Sequence, residues 1–175
     1  MALEARLAAL EYQYTLLQKQ HALLQAHHDI WHVMTRYARG LDEQRQEDLE
    51  AIFTDDVEFV TLPWSQLAAI GKDAAIEACR NYQRTFHHPR RFITNEPIQV
   101  HDDGTATGYA TTFVLQAHTG QSYCGWGYDE WEFRYVGAMW KIRKMTTRID
   151  CMTTLERGWG MMDERVLPLP PRPMD

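Results

Sequence analysis

The sequence predicts an α+β domain in which helices come first and a run of long antiparallel strands follows. Up to Tyr37, apolar residues recur every three or four positions, which is typical of helices. From Arg91 onward the period changes to two, as in half-buried strands, and turn residues separate three long segments, 105–118, 122–135 and 140–151. We therefore expect a strongly curved, mixed or antiparallel sheet that is wrapped by the N-terminal helices, with a pocket between the two layers.

The N-terminal segment, residues 1–26, carries one apolar seam along a helix. The spacing of the seam residues alternates between three and four and is broken only by a histidine. Either this helix lies across its own domain, which we expect first, or it packs on a neighbouring subunit. The periodicity continues to Tyr37, so a second helix follows or the first continues, and it should end near Gly40. The seam consists of Leu3, Leu7, Leu10, Tyr14, Leu17, His21 and Leu24.

Shorter elements connect the first helices to the long strands. They are a helix at 46–53, a strand at 57–61, a helix at 71–86 and one strand region formed by 92–95 and 98–100. Pro89 prevents the helix before it from continuing. We place the domain at residues 27–155. The proline-rich segment 156–175 is expected to be an extended tail outside the core.

Composition and charge exclude several classes of partner. A net charge of −6 and an isoelectric point near 5.7 do not suit nucleic acid or an anionic membrane surface. No segment is apolar enough to span a bilayer or to act as a signal peptide, so the cytoplasm is expected. Cys79, Cys124 and Cys151 form no CxxC pair, and His28 and His32 have no third ligand nearby, so neither a disulfide framework nor a metal site is expected.

The segment 37–59, together with Arg91-Phe-Ile-Thr-Asn95 and Trp140-Lys-Ile, resembles the SnoaL-like enzymes of the NTF2-like superfamily. The opening segment 37–59 is similar to the start of these enzymes, and the similarity extends over roughly residues 27–150. The later matching pieces are Gly71-Lys-Asp-Ala-Ala-Ile, Arg91-Phe-Ile-Thr-Asn95, Asp103-Gly-Thr-Ala, Tyr128-Asp-Glu-Trp-Glu and Trp140-Lys-Ile. The resemblance implies a cone-shaped fold around a pocket. It is less specific for the reaction, because the superfamily includes dehydrochlorinases, scytalone and bile-acid dehydratases and cofactorless formaldehyde lyases of diarylpropanes.

The resemblance also implies a set of catalytic residues. Asp42 matches the family's catalytic aspartate, and Tyr37 matches a polar pocket residue. Arg91 replaces the family's histidine, and His87 is a candidate for part of that histidine's role. Because arginine stays charged and has no lone pair, Asp42 or a histidine must be the base and Arg91 an anion holder. The arginine that steadies the leaving group in the dehydrochlorinase falls on Met145.

The pocket lining is expected to suit an aromatic or polycyclic ligand, since six tryptophans and eight tyrosines exceed the needs of a core of this size. The glycines of Gly125-Trp126-Gly127 either form a bulge or make room for a ring system, and we expect the second. By positional match the substrate-binding residues are Phe59, Tyr82, Phe86, His88, Thr112, Val114, Tyr123, Met145 and Thr147.

Three functions fit these expectations. The first is a lyase without cofactor that carries out an acid–base elimination, namely dehydration, dehydrohalogenation or deformylation, on a hydrophobic oxygenated aromatic or polycyclic molecule. Asp42 would be its base, and Arg91 and Tyr37 would stabilise an oxyanion. The second is an isomerase of the ketosteroid type, and the third is a non-catalytic small subunit of a ring-hydroxylating dioxygenase. The resemblance implies a homo-oligomer, with a trimer favoured over a dimer.

Overall fold

Three helices and seven strands make up the part of the chain that the computed structural model describes, residues 2–64 and 68–160. In chain order they are α1 (Ala2–Asp42), α2 (Gln46–Ile52), β1 (Phe53–Leu62), β2 (Ala69–Ile70), α3 (Lys72–Thr85), β3 (His87–Thr94), β4 (Ile98–Val100), β5 (Thr105–His118), β6 (Gln121–Val136) and β7 (Met139–Thr154). This order confirms the predicted α+β class. Most of the tail predicted at 156–175 lies outside the described residues.

The strands form one curved, unclosed mixed sheet. Their order is β2-β1-β7-β6-β5-β3, with β4 paired to β5 beside β3. All pairs are antiparallel except β1 with β7, which run parallel. β1 follows α2 in the chain and lies beside β7, the last strand of the β5–β6–β7 meander, in the same direction. This sheet agrees with the prediction of a curved sheet that is mixed or antiparallel.

Two tight turns set the register of the three longest strands. Thr119 and Gly120 join β5 to β6 with φ of 45° and 78°, and Gly137 and Ala138 join β6 to β7 with φ of 59° and 61°. Two-residue turns with positive φ at both positions match the right-handed twist of paired strands. The sequence signals at Gly120 and Gly137 therefore placed these strands to within two or three residues.

The core lies between the helices and the inner face of the sheet. From α1, Ile30, Met34 and Tyr37 are buried against side chains of the long strands, including Trp131 and Met145. Tyr37 meets Trp131 edge to face, with ring centroids 5.2 Å apart. The apolar residues of α1 thus pack against the rest of the domain only in the second half of the helix.

The first half of α1 is exposed, so the expectation that it lies across its own domain is wrong. Residues 3–25 are exposed throughout, and α1 is one continuous helix up to Asp42. Gly40, expected to end the helix, instead allows α2 to approach, because a Cβ on it would lie 2.7 Å from Leu49 Cδ2. None of the described helices is long and apolar enough to cross a bilayer.

The connection from α3 to the sheet also differs from the prediction. The helix ends at Thr85, and β3 begins at His87, two residues before the proline that was expected to end the helix. The strand therefore includes the basic cluster at 87–91. β2 was not predicted, since two residues carry no periodic pattern.

Candidate active site

A largely apolar cavity of about 320 Å³ lies between the helices and the inner face of the sheet. Its aromatic wall is formed by Phe59, Trp64, Phe86 and Trp126. Trp64 and Phe86 stack with ring centroids 6.2 Å apart. The polar groups that border the same space are Tyr37, Asn81, Tyr82, Arg91, Thr112, Gln116, Asp129 and Thr147, among others. A few polar groups in an apolar hollow of this size are typical of a small-molecule site.

Arg91 is the buried cation of this cavity, and Asp42 binds it. Arg148 also borders the cavity, but it is partly exposed and pairs with Glu130. Arg91 Nε donates to Asp42 Oδ1 at 3.1 Å, and the Arg91 backbone N–H donates to Asp42 Oδ2 at 2.8 Å. Both side chains are only 9% exposed. The guanidinium carbon lies 5.0 Å from the ring centre of Tyr82 and 5.6 Å from that of Tyr37. One ion pair and two aromatic faces therefore fix the position of the charge.

Burial sets the protonation states of these groups. Burial alone would lower the pKa of Arg91, but the nearby acidic groups of Tyr82, Tyr37, Asp42 and Asp129 raise it on balance. Burial raises the pKa of Tyr37 well above its usual value and also raises that of Tyr82. At neutral pH the cavity thus contains a permanent cation and two protonated phenols.

Asp129 is the carboxylate that lines the cavity. It lies on β6, is 2% exposed, and accepts hydrogen bonds from Thr112 Oγ1 at 2.6 Å and Thr147 Oγ1 at 2.7 Å. Desolvation raises the pKa of Asp129, and the two threonine hydroxyls and the charge of Arg91 offset this only in part. A buried aspartate with a raised pKa at the edge of an apolar cavity is a competent proton acceptor once it is ionised.

Asp129 was missed in the sequence, although a signal for it was present. Glu130 and Glu132 are exposed, whereas Asp129, Trp131 and Phe133 are buried. Strand alternation therefore places an acidic residue on the face that otherwise carries large apolar side chains. Such a residue violates the pattern of the strand, and that violation marks it as a functional candidate.

Asp42 does not line the cavity, which corrects the expectation that it faces the substrate. It borders two separate depressions, which it shares with exposed residues such as Glu43 and Arg90. Both of its oxygens are bound to Arg91. The predicted proximity of Asp42 to Arg91 is found, but the carboxylate sits behind the guanidinium, not in front of it.

Residues 22–146, which are more than half of the chain, match the family model that is described as "SnoaL-like domain". The chain belongs to the SnoaL-like family. The resemblance inferred from the sequence segments is thereby confirmed. None of the curated protein sequences compared with this SnoaL-like chain matches it.

Solved structures share the fold of this SnoaL-like domain. Hexachlorocyclohexane dehydrochlorinase LinA type 2 has a TM-score of 0.71 at 18% identity, covering 75% of this chain and 90% of that one. A proposed scytalone dehydratase from Novosphingobium aromaticivorans has a TM-score of 0.70 at 19% identity, covering 86% and 97%. An NTF2-like protein with a cystatin-like fold from the same organism has a TM-score of 0.62 at 18% identity, covering 77% and 88%. At these identities the likeness shows the fold alone.

The remaining predicted site residues of the SnoaL-like domain fall into two groups. His87 and His88 are exposed at the start of β3, outside the cavity lining, because α3 ends before them. Tyr123 and Met145 are buried but do not border the cavity, since Met145 packs in the core cluster. The predicted residues that do line the cavity are Tyr37, Phe59, Tyr82, Phe86, Arg91, Thr112, Val114 and Thr147.

Two hydroxyl groups in the cavity differ in their availability. Tyr82 Oη donates to Gln116 Oε1 at 2.5 Å, so its proton is already engaged. Among the described residues, the Tyr37 hydroxyl has no hydrogen-bond partner, which leaves it available to a ligand. Cys79 also lines the cavity, but burial raises the pKa of its thiol to about 12, so it remains a thiol and not a nucleophilic thiolate.

The Gly125-Trp126-Gly127 segment makes a bulge and also borders the cavity. The β6–β7 register shifts between Trp126 and Gly127, and a Cβ on Gly127 would lie 1.8 Å from the Arg148 carbonyl oxygen. The glycine is therefore required by close backbone approach. Trp126 borders the cavity and meets Trp159 edge to face, with ring centroids 5.5 Å apart.

Histidine and acidic side chains do not gather into a metal site in the described part of the chain, where no group of three or more His, Cys, Asp or Glu residues could hold an ion. His28 and His32 do come together, with their Nε2 atoms 3.0 Å apart on the exposed side of α1. Neither of these two histidines borders the cavity.

Proposed function

We propose that this SnoaL-like domain is a lyase that eliminates a leaving group from a hydrophobic, oxygenated aromatic or polycyclic molecule by side-chain acid–base chemistry. One observation carries the proposal: a buried carboxylate, Asp129, and a permanent cation, Arg91, border the same largely apolar cavity. Two of the structural neighbours are named for eliminations, a dehydrochlorinase and a proposed dehydratase, which supports this class of reaction.

Asp129 is the proposed base in place of Asp42. It is the one aspartate or glutamate among the described residues that line the cavity. Desolvation raises its pKa, which makes the ionised form a stronger proton acceptor than an exposed aspartate. The hydroxyls of Thr112 and Thr147 hold the carboxylate in place while leaving lone pairs on its oxygens.

Arg91 and Tyr37 are the proposed electrostatic partners of the reacting oxygen. When Asp129 removes a proton next to a carbonyl, negative charge develops on the oxygen, and the fixed guanidinium stabilises it. Collapse of this charge forms a carbon–carbon double bond and expels the leaving group. Where that group is hydroxide, the Tyr37 hydroxyl donates a proton to it and water departs. The proton that Asp129 took from the substrate then returns to the Tyr37 phenolate, which restores both groups. Asp42 acts as a positioning residue, because it orients Arg91 and does not itself border the cavity.

The cavity indicates the class of substrate. Its volume of about 320 Å³ accommodates a compact molecule of one or a few rings, and its aromatic walls favour flat apolar groups. A neutral molecule with one or two oxygens suits this lining better than a highly charged one, because a single uncompensated charge would be costly there.

The test combines turnover and binding on a panel of phenolic diaryl compounds, sterols and polyketide-like ketones. Products are identified by mass spectrometry, and binding is measured by ligand-induced shifts of the melting temperature. With a compound that is turned over, Asp129→Asn should lower kcat by about a hundredfold or more while binding persists. The control is Glu132→Gln, an exposed carboxylate on the same strand. Undiminished turnover by Asp129→Asn would show that Asp129 is not the base.

An isomerase of the ketosteroid type is the second candidate. A single carboxylate in the cavity can remove a proton from one carbon and return it to another, so the same geometry serves both reactions. The two functions differ in their products. An isomerase gives a product of unchanged mass, whereas a lyase gives one that has lost the leaving group.

A further inference from the structure

The first half of α1 projects from the domain as a helix without packing of its own. Residues 3–25 are exposed, whereas Ile30, Met34 and Tyr37 anchor the second half of the same helix in the core. A helix of 41 residues spans about 60 Å, roughly half of which is not covered by the domain. An isolated helix of this kind is marginal in water unless its apolar side is buried.

One side of this projecting helix carries a heptad pattern, which we call the α1 seam. Written as a coiled coil, its d positions are all leucine, and its a positions are Leu7, Tyr14 and the polar His21. The six apolar seam residues are 56–80% exposed. The d positions are Leu3, Leu10, Leu17 and Leu24.

The residues that flank the α1 seam are complementary to a second copy in parallel orientation. In a parallel pair each g position meets the e position five residues later on the other helix. Arg6 at g of one helix would then meet Glu11 at e of the other. Two-fold symmetry gives a second, equivalent ion pair with the roles of the two helices exchanged. Neither Arg6 nor Glu11 has an ion-pair partner among the described residues. The later flanking positions are glutamines, Gln13 with Gln18 and Gln20 with Gln25, so no like charges meet.

We propose that the α1 seam pairs two copies of this chain in a parallel, in-register, two-stranded coiled coil over residues 3–24. Leucine is the residue that two-stranded coiled coils carry at d, and polar e and g positions keep the apolar seam narrow. Three heptads suffice here because the domain already holds the continuing helix, which removes the nucleation cost that limits short free peptides. A pair of chains thus replaces the trimer expected from the family resemblance.

A lipid surface fits this helix less well than a second copy does. Helices that lie on membranes carry an excess of basic residues on their polar side. Residues 3–24 contain two acidic and two basic side chains, so the segment has no net positive charge. Three of the four, Glu4, Arg6 and Glu11, lie at flanking e and g positions of the heptad, as expected for helix pairing.

Cross-linking of the full chain tests both the partner and the orientation. Leu10→Cys places a thiol at a d position, and Tyr12→Cys places one on the opposite side of the same helix turn. The natural cysteines, Cys79, Cys124 and Cys151, are buried and contribute little background. Under mild oxidation with diamide, Leu10→Cys should form a disulfide-linked dimer, and Tyr12→Cys should remain unlinked. An unlinked Leu10→Cys, or equal linking of both variants, would overturn the proposal.

A matched pair of charge insertions tests the energetics. Leu17→Glu places a carboxylate within the α1 seam, whereas Leu16→Glu places the same group at an exposed neighbouring position outside it. In sedimentation experiments Leu17→Glu should weaken association by at least about a hundredfold, because each helix would bury a charge. Leu16→Glu should associate like the unchanged chain. Equal behaviour of the two variants would contradict a seam at this register.

Charge exchange tests the parallel orientation separately. Arg6→Glu and Glu11→Arg should each weaken association by about threefold to tenfold, since attraction across the seam becomes repulsion. The double variant carries both charges exchanged and should recover the original affinity. Further weakening in the double variant would exclude the parallel pairing. None of these residues borders the cavity, so the result is independent of the proposed lyase activity.

Discussion

The pair formed by Asp42 and Arg91 gives the sharpest prediction about stability. Both side chains are 9% exposed, and the carboxylate accepts two hydrogen bonds from Arg91, at 2.8 and 3.1 Å. Asp42→Asn removes the charge that compensates the buried guanidinium. Removing one partner of a buried pair costs about 3–5 kcal/mol in the free energy of unfolding. For a domain of this size that corresponds to a melting temperature lower by about 6–20 °C.

Urea unfolding of a double-mutant cycle checks this estimate. Arg91→Met removes the cation but keeps a long apolar side chain, so Asp42→Asn combined with Arg91→Met should be more stable than Asp42→Asn alone. Glu43→Gln is the matched control, because Glu43 makes only exposed ion pairs and should change stability by less than about 1 kcal/mol. If Asp42→Asn and Glu43→Gln cost the same, the guanidinium does not depend on Asp42, and the positioning role assigned to Asp42 fails.

Three further predictions concern the cavity. Burial raises the pKa of Asp129 in the folded state, so its stabilising contribution is complete below the ordinary aspartate pKa of about 3.9 and is lost as the pH rises through the folded-state pKa. In urea unfolding, Asp129→Asn should therefore gain stability relative to the unchanged chain as the pH rises above about 4, until the Asp129 carboxyl is ionised in the folded state. A difference that stays constant with pH would contradict this. Gly127→Ala should destabilise the fold by about 3 kcal/mol or more because its Cβ meets a carbonyl oxygen, whereas Gly160→Ala, with open space around it, should have no effect in thermal unfolding. Tyr37→Phe should lower kcat but not ligand affinity; a change in affinity alone would show that the Tyr37 hydroxyl acts only in binding.

Much of the fold could be predicted because local signals agreed with the final structure. The alternation of residues 105–151 and the glycines at 120 and 137 are local features, and they located β5, β6 and β7. The family resemblance placed Asp42 beside Arg91, which the structure confirms. These features depend on a few neighbouring residues or on direct similarity in sequence.

The orientation of side chains could not be predicted in the same way. Whether Asp42 points into the cavity or behind Arg91 depends on how the end of α1 rotates against β3, and this rotation leaves no pattern in the sequence. The exposure of His87 follows from α3 ending at Thr85, since the chain turns into a strand sooner than Pro89 suggested. The α1 seam looks the same in sequence whether it packs on its own domain or on another chain.

The contact between Trp126 and Trp159 ties the end of the described chain to the state of the cavity. Hydrogen bonds from Thr153 Oγ1 to the Gly158 carbonyl and from the Arg157 N–H to Thr154 Oγ1 hold the final turn in place. A molecule that presses on the indole of Trp126 therefore also displaces the half-exposed indole of Trp159. We therefore expect the emission of Trp159 to report whether the cavity is occupied.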